Sequence, residues 1–512
     1  MNITTFYLLF GLYMAALIGL SCLLARRQKT GDDFLLAGRN VSTRLSLGTT
    51  VATMIGTGTS MGAVGFAYTN SWAGMLYGLG GATGILLTAW LFAPVRRYGF
   101  MTMSEELAFY VGAHPRIRLL FAVLIFIASL GWLGAHLIGG ALYLAWATGV
   151  DLNVAKLIIA VAFTLYIVIG GYSAVVWTDS IMAIILFAGF VLMALLISVQ
   201  AGGVVALAAQ VPASQSGWQA LSHIGVIPAI SLAAVIALGV MATPSFRQRI
   251  YSARSVTTVR RAFMLAGLLY LFFAALPAMI GIAARQSAPE LADHQFAFAT
   301  MAVTVLPAMI AMLVLLAGVS ATLSSASSDA IAAVSIFIRD LLQQCYPAGF
   351  SPTVLLRLSR VSLVVVASLA LTMALLSDDI IRYITALIAT VMSGLAVTAL
   401  LGRFWRGFRW QGALSAVLAG MSISLSILLH ADWLAFWGNP VLPAFAGAGC
   451  FGVVVSLCYR KQHHSMLGSM RRLRHERQRF MQQNGEEVLP ATEPRLSSPE
   501  LSTSCRRGEP GL

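Results

Sequence analysis

The chain has 512 residues, 58% of them hydrophobic and 10% charged, with a formal net charge of +14. Runs of about 20 apolar residues recur along it, each long enough to cross a hydrocarbon core roughly 30 Å thick, which excludes a soluble globular protein. The positive charge invites a nucleic-acid partner, but its placement in alternate loops argues against one.

A polytopic all-α membrane protein with about 13 transmembrane helices is predicted, at 6–25, 45–69, 73–95, 117–147, 154–175, 176–201, 226–246, 262–285, 300–338, 354–377, 381–402, 410–430 and 440–458. The first run, "FYLLFGLYMAALIGLSCLLA", is too long for a signal-peptide core and lacks a small-residue cleavage site, so it stays as an anchor. Of the 33 Lys and Arg, only Lys156, Arg285 and Arg382 fall in one set of alternate loops; the rest lie at 26–44, 96–118, 247–261, 339–360, 403–409 and 459–507. By the positive-inside rule those loops and the C-terminus are cytoplasmic and the N-terminus is outside, as expected of a multi-pass protein of the plasma (cytoplasmic) membrane, a cell inner membrane in bacteria. No Lys or Arg is expected deep in any span.

The second span contains "VATMIGTGTSMGAVG", 51–65, with Gly56 and Gly58, and the seventh runs into "ALGVMATPSFRQR", 237–249, with Gly239 and Pro244. Glycine permits non-helical angles and proline removes a backbone donor, so both spans are expected to be broken. Each opens a group of five spans, 45–201 and 226–402. Five is odd, so the two groups face opposite ways, the layout of an inverted-repeat transporter. Around them lie an extra N-terminal helix and loop (1–44), an extracytoplasmic loop (202–225) and two additional helices (403–458). The tail, 459–512, is basic and then Ser/Pro/Glu-rich, so disorder is expected. Its "RRLRHERQRF" has two readings, contact with anionic membrane lipid or a solvated stretch. Cys22, Cys345, Cys450, Cys458 and Cys505 show no CxxC spacing, so neither a disulfide framework nor a zinc site is indicated, and no cofactor.

The ninth span carries "GVSATLSSASSDAIAAVS", 318–335, with Ser320, Thr322, Ser324, Ser325, Ser327, Ser328 and Asp329 in its middle. At 3.6 residues per turn, positions 321, 324, 325 and 328 share one face. Two readings stand on the residues alone. Small hydroxyl residues let helices pack closely and bond back to their own backbone. Hydroxyls aimed at one spot also suit a hard monovalent cation that must be released again.

Four ordered motifs resemble the sodium:solute symporter family, which has the leucine-transporter-type fold: "DDFLLAGRNVS" at 32–42, "IGGYSAVVWTDSI" at 169–181, "TPSFRQRIYSARS" at 243–255 and "SATLSSASSDAIAAVSIFIRD" at 320–340, with a weaker "TMSEELAFYVG" at 102–112. The resemblance spans about residues 5–458. It implies sodium-coupled symport of a small organic solute by alternating access, with sodium as a co-transported ligand and no obligatory protein partner. It also implies a sodium site formed by the carbonyls of Ala52, Ile55 and Ala321 and the hydroxyls of Ser324 and Ser325. A second sodium, as in some relatives, would use Asp179 with Ser324, Ser327 and Ser328; Asp179 reads equally as a helix cap or as the partner of loop arginines.

For the solute, the resemblance places Thr57 and Thr59 at the first break and Trp132 opposite. Gly78 and Gly81 stand where sugar-binding relatives carry polar side chains, and Trp132 where a carboxylate-binding relative has arginine, so sugars and acidic sugars are disfavoured. Trp72, Tyr77 and Trp132 read either as a cage for a cation or as interfacial aromatics. "IGTGTSMGAVG" is similar to the choline-transporting branch. Asp329 departs from the family's pattern and is assigned no role; proton uptake or pairing with His136 is one reading, and His136 as a buried, hydrogen-bonded histidine is the preferred one. An intramembrane hydrolase is disfavoured because no GxSxG elbow accompanies the serines. The sequence is also compatible with a transporter-like sensor or a sodium-independent carrier of the same fold.

Overall fold

The helix that opens the first group starts and stops for local reasons. In the computed structural model, which describes residues 3–26, 28, 30–216, 219–346, 350–376, 388–459 and 468–473, α1 (Ile3–Ala25) precedes α2 (Thr43–Met54). The Ser42 hydroxyl accepts the Leu45 N–H at 3.4 Å and caps α2. At its other end Ile55 leaves the helix with φ −88° and ψ 49°, and Gly56 follows. The chain resumes as a π-helical turn, Gly58–Ala63, and then α3 (Val64–Asn70). Thr59 steadies the interruption by donating its hydroxyl to the Met54 carbonyl at 2.6 Å.

Next come α4 (Met75–Leu91), the short α5 (Met103–Tyr110) and the long α6 (Pro115–Thr148). The fifth and sixth predicted spans form one element, α7 (Leu152–Gln200), interrupted at Gly171 with φ 52° and ψ −157°. A straight 49-residue helix would run about 74 Å, far beyond one bilayer core. The break lies upstream of the expected boundary at 175/176, because glycine alone adopts such angles without strain. A Cβ there would also meet the Phe34 carbonyl oxygen at 2.8 Å. Gly171→Ala is therefore expected to cost about 1–3 kcal/mol, read as a lower melting temperature in detergent; an unchanged melting temperature would refute this.

The second group opens with α8 (Val226–Ala242) and α9 (Pro244–Ser252), bent by 43° at Thr243. Pro244 suits the first turn of α9, where its missing N–H has no partner to lose. The Thr243 hydroxyl donates to Gly239 O at 2.6 Å and the Arg247 Nε to Met241 O at 3.1 Å, satisfying carbonyls that the bend exposes. The chain continues through α10 (Val256–Phe273), α11 (Ala275–Ser287), α12 (Ala297–Val305), α13 (Ala308–Ile336), α14 (Pro352–Leu375), α15 (Ser393–Phe404), α16 (Trp410–Leu429) and α17 (Val441–Cys458).

Among the described residues, nine helices are long and apolar enough to cross a membrane, ten if α8–α9 counts as one. These correspond to the 13 expected spans once Gly58–Leu91 is divided at the turn before α4 and α7 at Gly171; the eleventh span leaves the shorter Thr390–Phe404. Residues 381–387 of that span and nearly all of the tail lie outside the described residues.

The serine-rich helix α13 is buried from Ala311 to Ile336 apart from Leu313 and packs against α2, α6, α7 and α14. Lipid tails are as apolar as leucine, so close packing rather than apolar burial holds such helices together. Gly139 and Gly140 of α6 permit it. A Cβ on Gly139 would sit 2.0 Å from Thr57 Cγ2, and one on Gly140 2.7 Å from Thr322 Oγ1. Leu8, Leu12, Ile184 and Val199 face outward, as lipid contact requires.

Candidate functional site

The break after α2 and the hydroxyl ridge of α13 are neighbours. A Cβ placed on Gly56 would lie 3.1 Å from Ser325 Oγ, so this glycine lets the unwound backbone approach the serine. Ser324 Oγ and Ser325 Oγ are both buried and make no hydrogen bond of ordinary length among the described residues; Ser324 approaches the Asp179 carboxylate. A buried hydroxyl left unpaired costs about 1–3 kcal/mol, so two on adjacent residues facing an unwound backbone suit a ligand. Ser320, on the same helix, behaves in the ordinary way and donates to Leu316 O at 2.7 Å. Among the described residues no backbone hydrogen bond reaches the carbonyls of Ala52 and Ile55. Ala52, Ile55 and Ala321 are all fully buried. Buried oxygen atoms from two elements, those of Ala52 and Ile55 without a backbone donor, are the ligands that a small alkali ion needs.

The second predicted set comes together around a cation of the protein's own. Asp179 Oδ2 accepts from Thr49 Oγ1 at 2.6 Å and from Ser328 Oγ at 3.3 Å, and lies 3.6 Å from Arg249 Nη2. Arg249 Nη2 also donates to Ser328 Oγ at 2.9 Å and to the Thr53 hydroxyl. Ser327 donates to the Ser324 carbonyl at 2.7 Å. Asp179 Oδ1 is buried and has no partner.

Arg247 and Arg249, read from the sequence as loop residues beyond the seventh span, are buried inside the protein, and Arg249 gives Asp179 the loop-arginine partner offered as one of its readings. Both guanidiniums are fully buried, because the Pro244 turn restarts a helix that carries them into the protein. Arg247 lies 3.5 Å from the Phe92 ring centre and donates to Glu106 Oε1 at 3.1 Å. Tyr110 and Tyr251 donate to the same carboxylate at 3.0 and 2.5 Å. Burial, and then the Glu106 charge, push the Tyr110 phenol well above its ordinary range, which keeps it a donor. An ion pair reinforced by two phenols thus closes the space beneath α9.

A cavity runs between the two breaks. From the first group it is lined by Gly56, Gly58, Tyr77, Trp132, His136 and, from α13, Asp329. Gly239, Thr243 and Phe246 line it from the second break. His136 Nε2 lies 3.2 Å from Asp329 Oδ2, so the histidine is buried and hydrogen-bonded, with Asp329 as its partner. Trp132 lines the cavity as expected; Thr57 and Thr59 do not. Thr57 packs on α6, and Thr59 Oγ1 is engaged by Met54 O and Tyr270 OH. Trp72 stands apart on a 3-10 turn, Ser71–Gly74. Gly78 and Gly81 are packing positions: a Cβ would meet Ala274 Cα at 2.6 Å and Met54 Cε at 2.5 Å respectively. Neither lines the cavity, so they say little about which solute is bound.

A profile of the sodium:solute symporter family matches residues 34–420. The chain belongs to this family. It is a transporter, and it couples sodium to the movement of a small organic solute across a membrane. The symporter is 24% identical over 460 residues to the sodium/pantothenate symporter of Escherichia coli K12, covering 84% of this chain and 92% of that protein. Among solved structures it matches a sodium-coupled sialic acid symporter in a substrate-bound, outward-open state, with a TM-score of 0.73 at 22% identity over 90% of this chain and 98% of that one. A nucleobase-cation-symport-1 family transporter in a closed conformation matches with a TM-score of 0.58 at 15% identity, covering 86% and 97%. The fold is thus the leucine-transporter type, with 45–201 and 226–402 as the proposed repeats.

Proposed function

We propose that the symporter holds one sodium ion between the α2 break and α13, on the carbonyls of Ala52, Ile55 and Ala321 and the hydroxyls of Ser324 and Ser325. The observation that carries this reading is the buried Ser325 hydroxyl, set against Gly56 with no hydrogen-bond partner among the described residues and with Ser324 beside it. The solute occupies the adjacent cavity, so sodium bound at Ile55 steadies the broken backbone whose Gly56 and Gly58 form one wall of it. Each ligand then raises the other's affinity, as linkage requires. A second sodium on Asp179, Ser327 and Ser328 would draw on the idle Asp179 Oδ1, but it would share the pocket with the Arg249 guanidinium, so the geometry favours a single ion.

The symporter sits in the cytoplasmic membrane with its N-terminus outside and C-terminus inside, a reading supported by the confinement of Lys and Arg to alternate loops. The test is direct binding of radioactive sodium to the purified full-length protein. Saturable binding displaced by cold sodium and not by potassium is expected. Binding that potassium displaces equally well would overturn the site.

A further inference from the structure

Asp329 differs from three other buried carboxylates of the interior. Glu106 pairs with Arg247 at 3.1 Å, Asp179 with Arg249 at 3.6 Å, and Asp340 with Arg118 at 2.8 Å. Each of those charges is matched by a permanent cation. Asp329 is partnered, among the described residues, by the imidazole of His136 alone. His136 Nδ1 is buried without a partner. Among the described residues Asp329 thus has a hydrogen-bonding partner in His136 but no permanent cation to match a carboxylate charge. Such a charge inside a membrane protein is costly unless a ligand offsets it.

The surroundings say what kind of ligand. The cavity beside Asp329 is walled by Tyr77, Trp132 and Phe246, and no Arg or Lys lines it. Trp132 stacks on His136 with ring centres 6.0 Å apart, and its Nε1–H is buried without an acceptor. A carboxylate among aromatic faces attracts a positive nitrogen and repels an anion. The idle indole N–H asks for an oxygen acceptor.

We propose that Asp329, held by His136, is the solute-recognition carboxylate of this symporter, and that the solute is a small organic cation bearing an oxygen acceptor within reach of Trp132. The proposal rests on the sodium-site reading above. Asp329 follows Ser325 by four residues, which puts it about 6 Å along the same face of α13. It therefore lines the cavity close to the proposed sodium, and its negative charge lets two positive ligands bind near each other.

The full-length protein in detergent, at saturating sodium chloride, is titrated with choline, tetramethylammonium, uncharged 3,3-dimethylbutan-1-ol and acetate while its melting temperature is read. The two cations should stabilise it and the other two should not. Asp329→Asn should weaken the apparent affinity for both cations by about tenfold or more, and by a larger factor than it weakens the shift caused by sodium alone. Trp132→Phe should weaken choline binding and spare tetramethylammonium. The proposal is overturned if neither cation stabilises the wild type, if the alcohol or acetate does so equally, or if Asp329→Asn binds the cations unchanged, whatever it does to the pH dependence of transport. Should Asp329→Asn fail to fold, the comparison of cation with uncharged isostere in the wild type decides alone. A wild type that sodium by itself does not stabilise would instead sink the sodium site.

Discussion

Replacing Ser325 by alanine should raise the half-saturating sodium concentration by roughly 10–100-fold, with protein yield little changed. Its hydroxyl is buried against Gly56 with no competing donor, and a hydrogen-bond-sized interaction with a charge is worth about 1.5–3 kcal/mol. At 1.4 kcal/mol per decade that range gives the stated effect. Ser324→Ala should act in the same direction, because its hydroxyl is the other proposed ligand on α13. Ser320→Ala is the control: that side chain bonds to its own helix, so sodium dependence should not move. Radioactive sodium binding to the three variants decides the matter. If all three behave alike, the two hydroxyls are not ligands.

The Arg247–Glu106 pair carries the second large effect, on stability. Arg247→Met or Glu106→Gln alone strands a charge in a fully buried site, at a cost of about 3–5 kcal/mol. Combining the two removes both charges, and methionine keeps the contact with Phe92. The double variant should therefore recover most of the melting temperature that each single variant loses. A double variant whose loss is the sum of the single losses would show that the two residues act independently. Melting curves in detergent, with folded yield from size-exclusion profiles, give the answer.

Much of this architecture was legible in the residues. The glycines at 56 and 58 and the proline at 244 marked both interruptions, because their chemistry is local. The Ser324–Ser325 ridge announced itself by being polar in an apolar helix. The burial of Arg247 and Arg249 was not legible: hydropathy reads "SFRQR" as a loop, and only the refolding of the chain after Pro244 carries both guanidiniums inward. Nor was the engagement of Thr59, whose hydroxyl bonds depend on Tyr270, distant in sequence and close in space. Gly171 was visible as a glycine within "IGGYSA", but only its positive φ shows that α7 breaks there. Asp329 stood out as an anomaly, and its pairing with His136 needed α6 and α13 side by side.

The Ser324 and Ser325 hydroxyls on α13 also bear on how long the protein lasts. A sodium ion held there, as proposed, would engage both. A ligand bound only by the folded form adds stability with the logarithm of its concentration, about 2.7 kcal/mol at a hundredfold excess over its dissociation constant. Potassium-based preparations should accordingly lose activity faster than sodium-based ones. Cells kept in low salt should degrade the transporter sooner, so that its abundance follows the very gradient it draws upon.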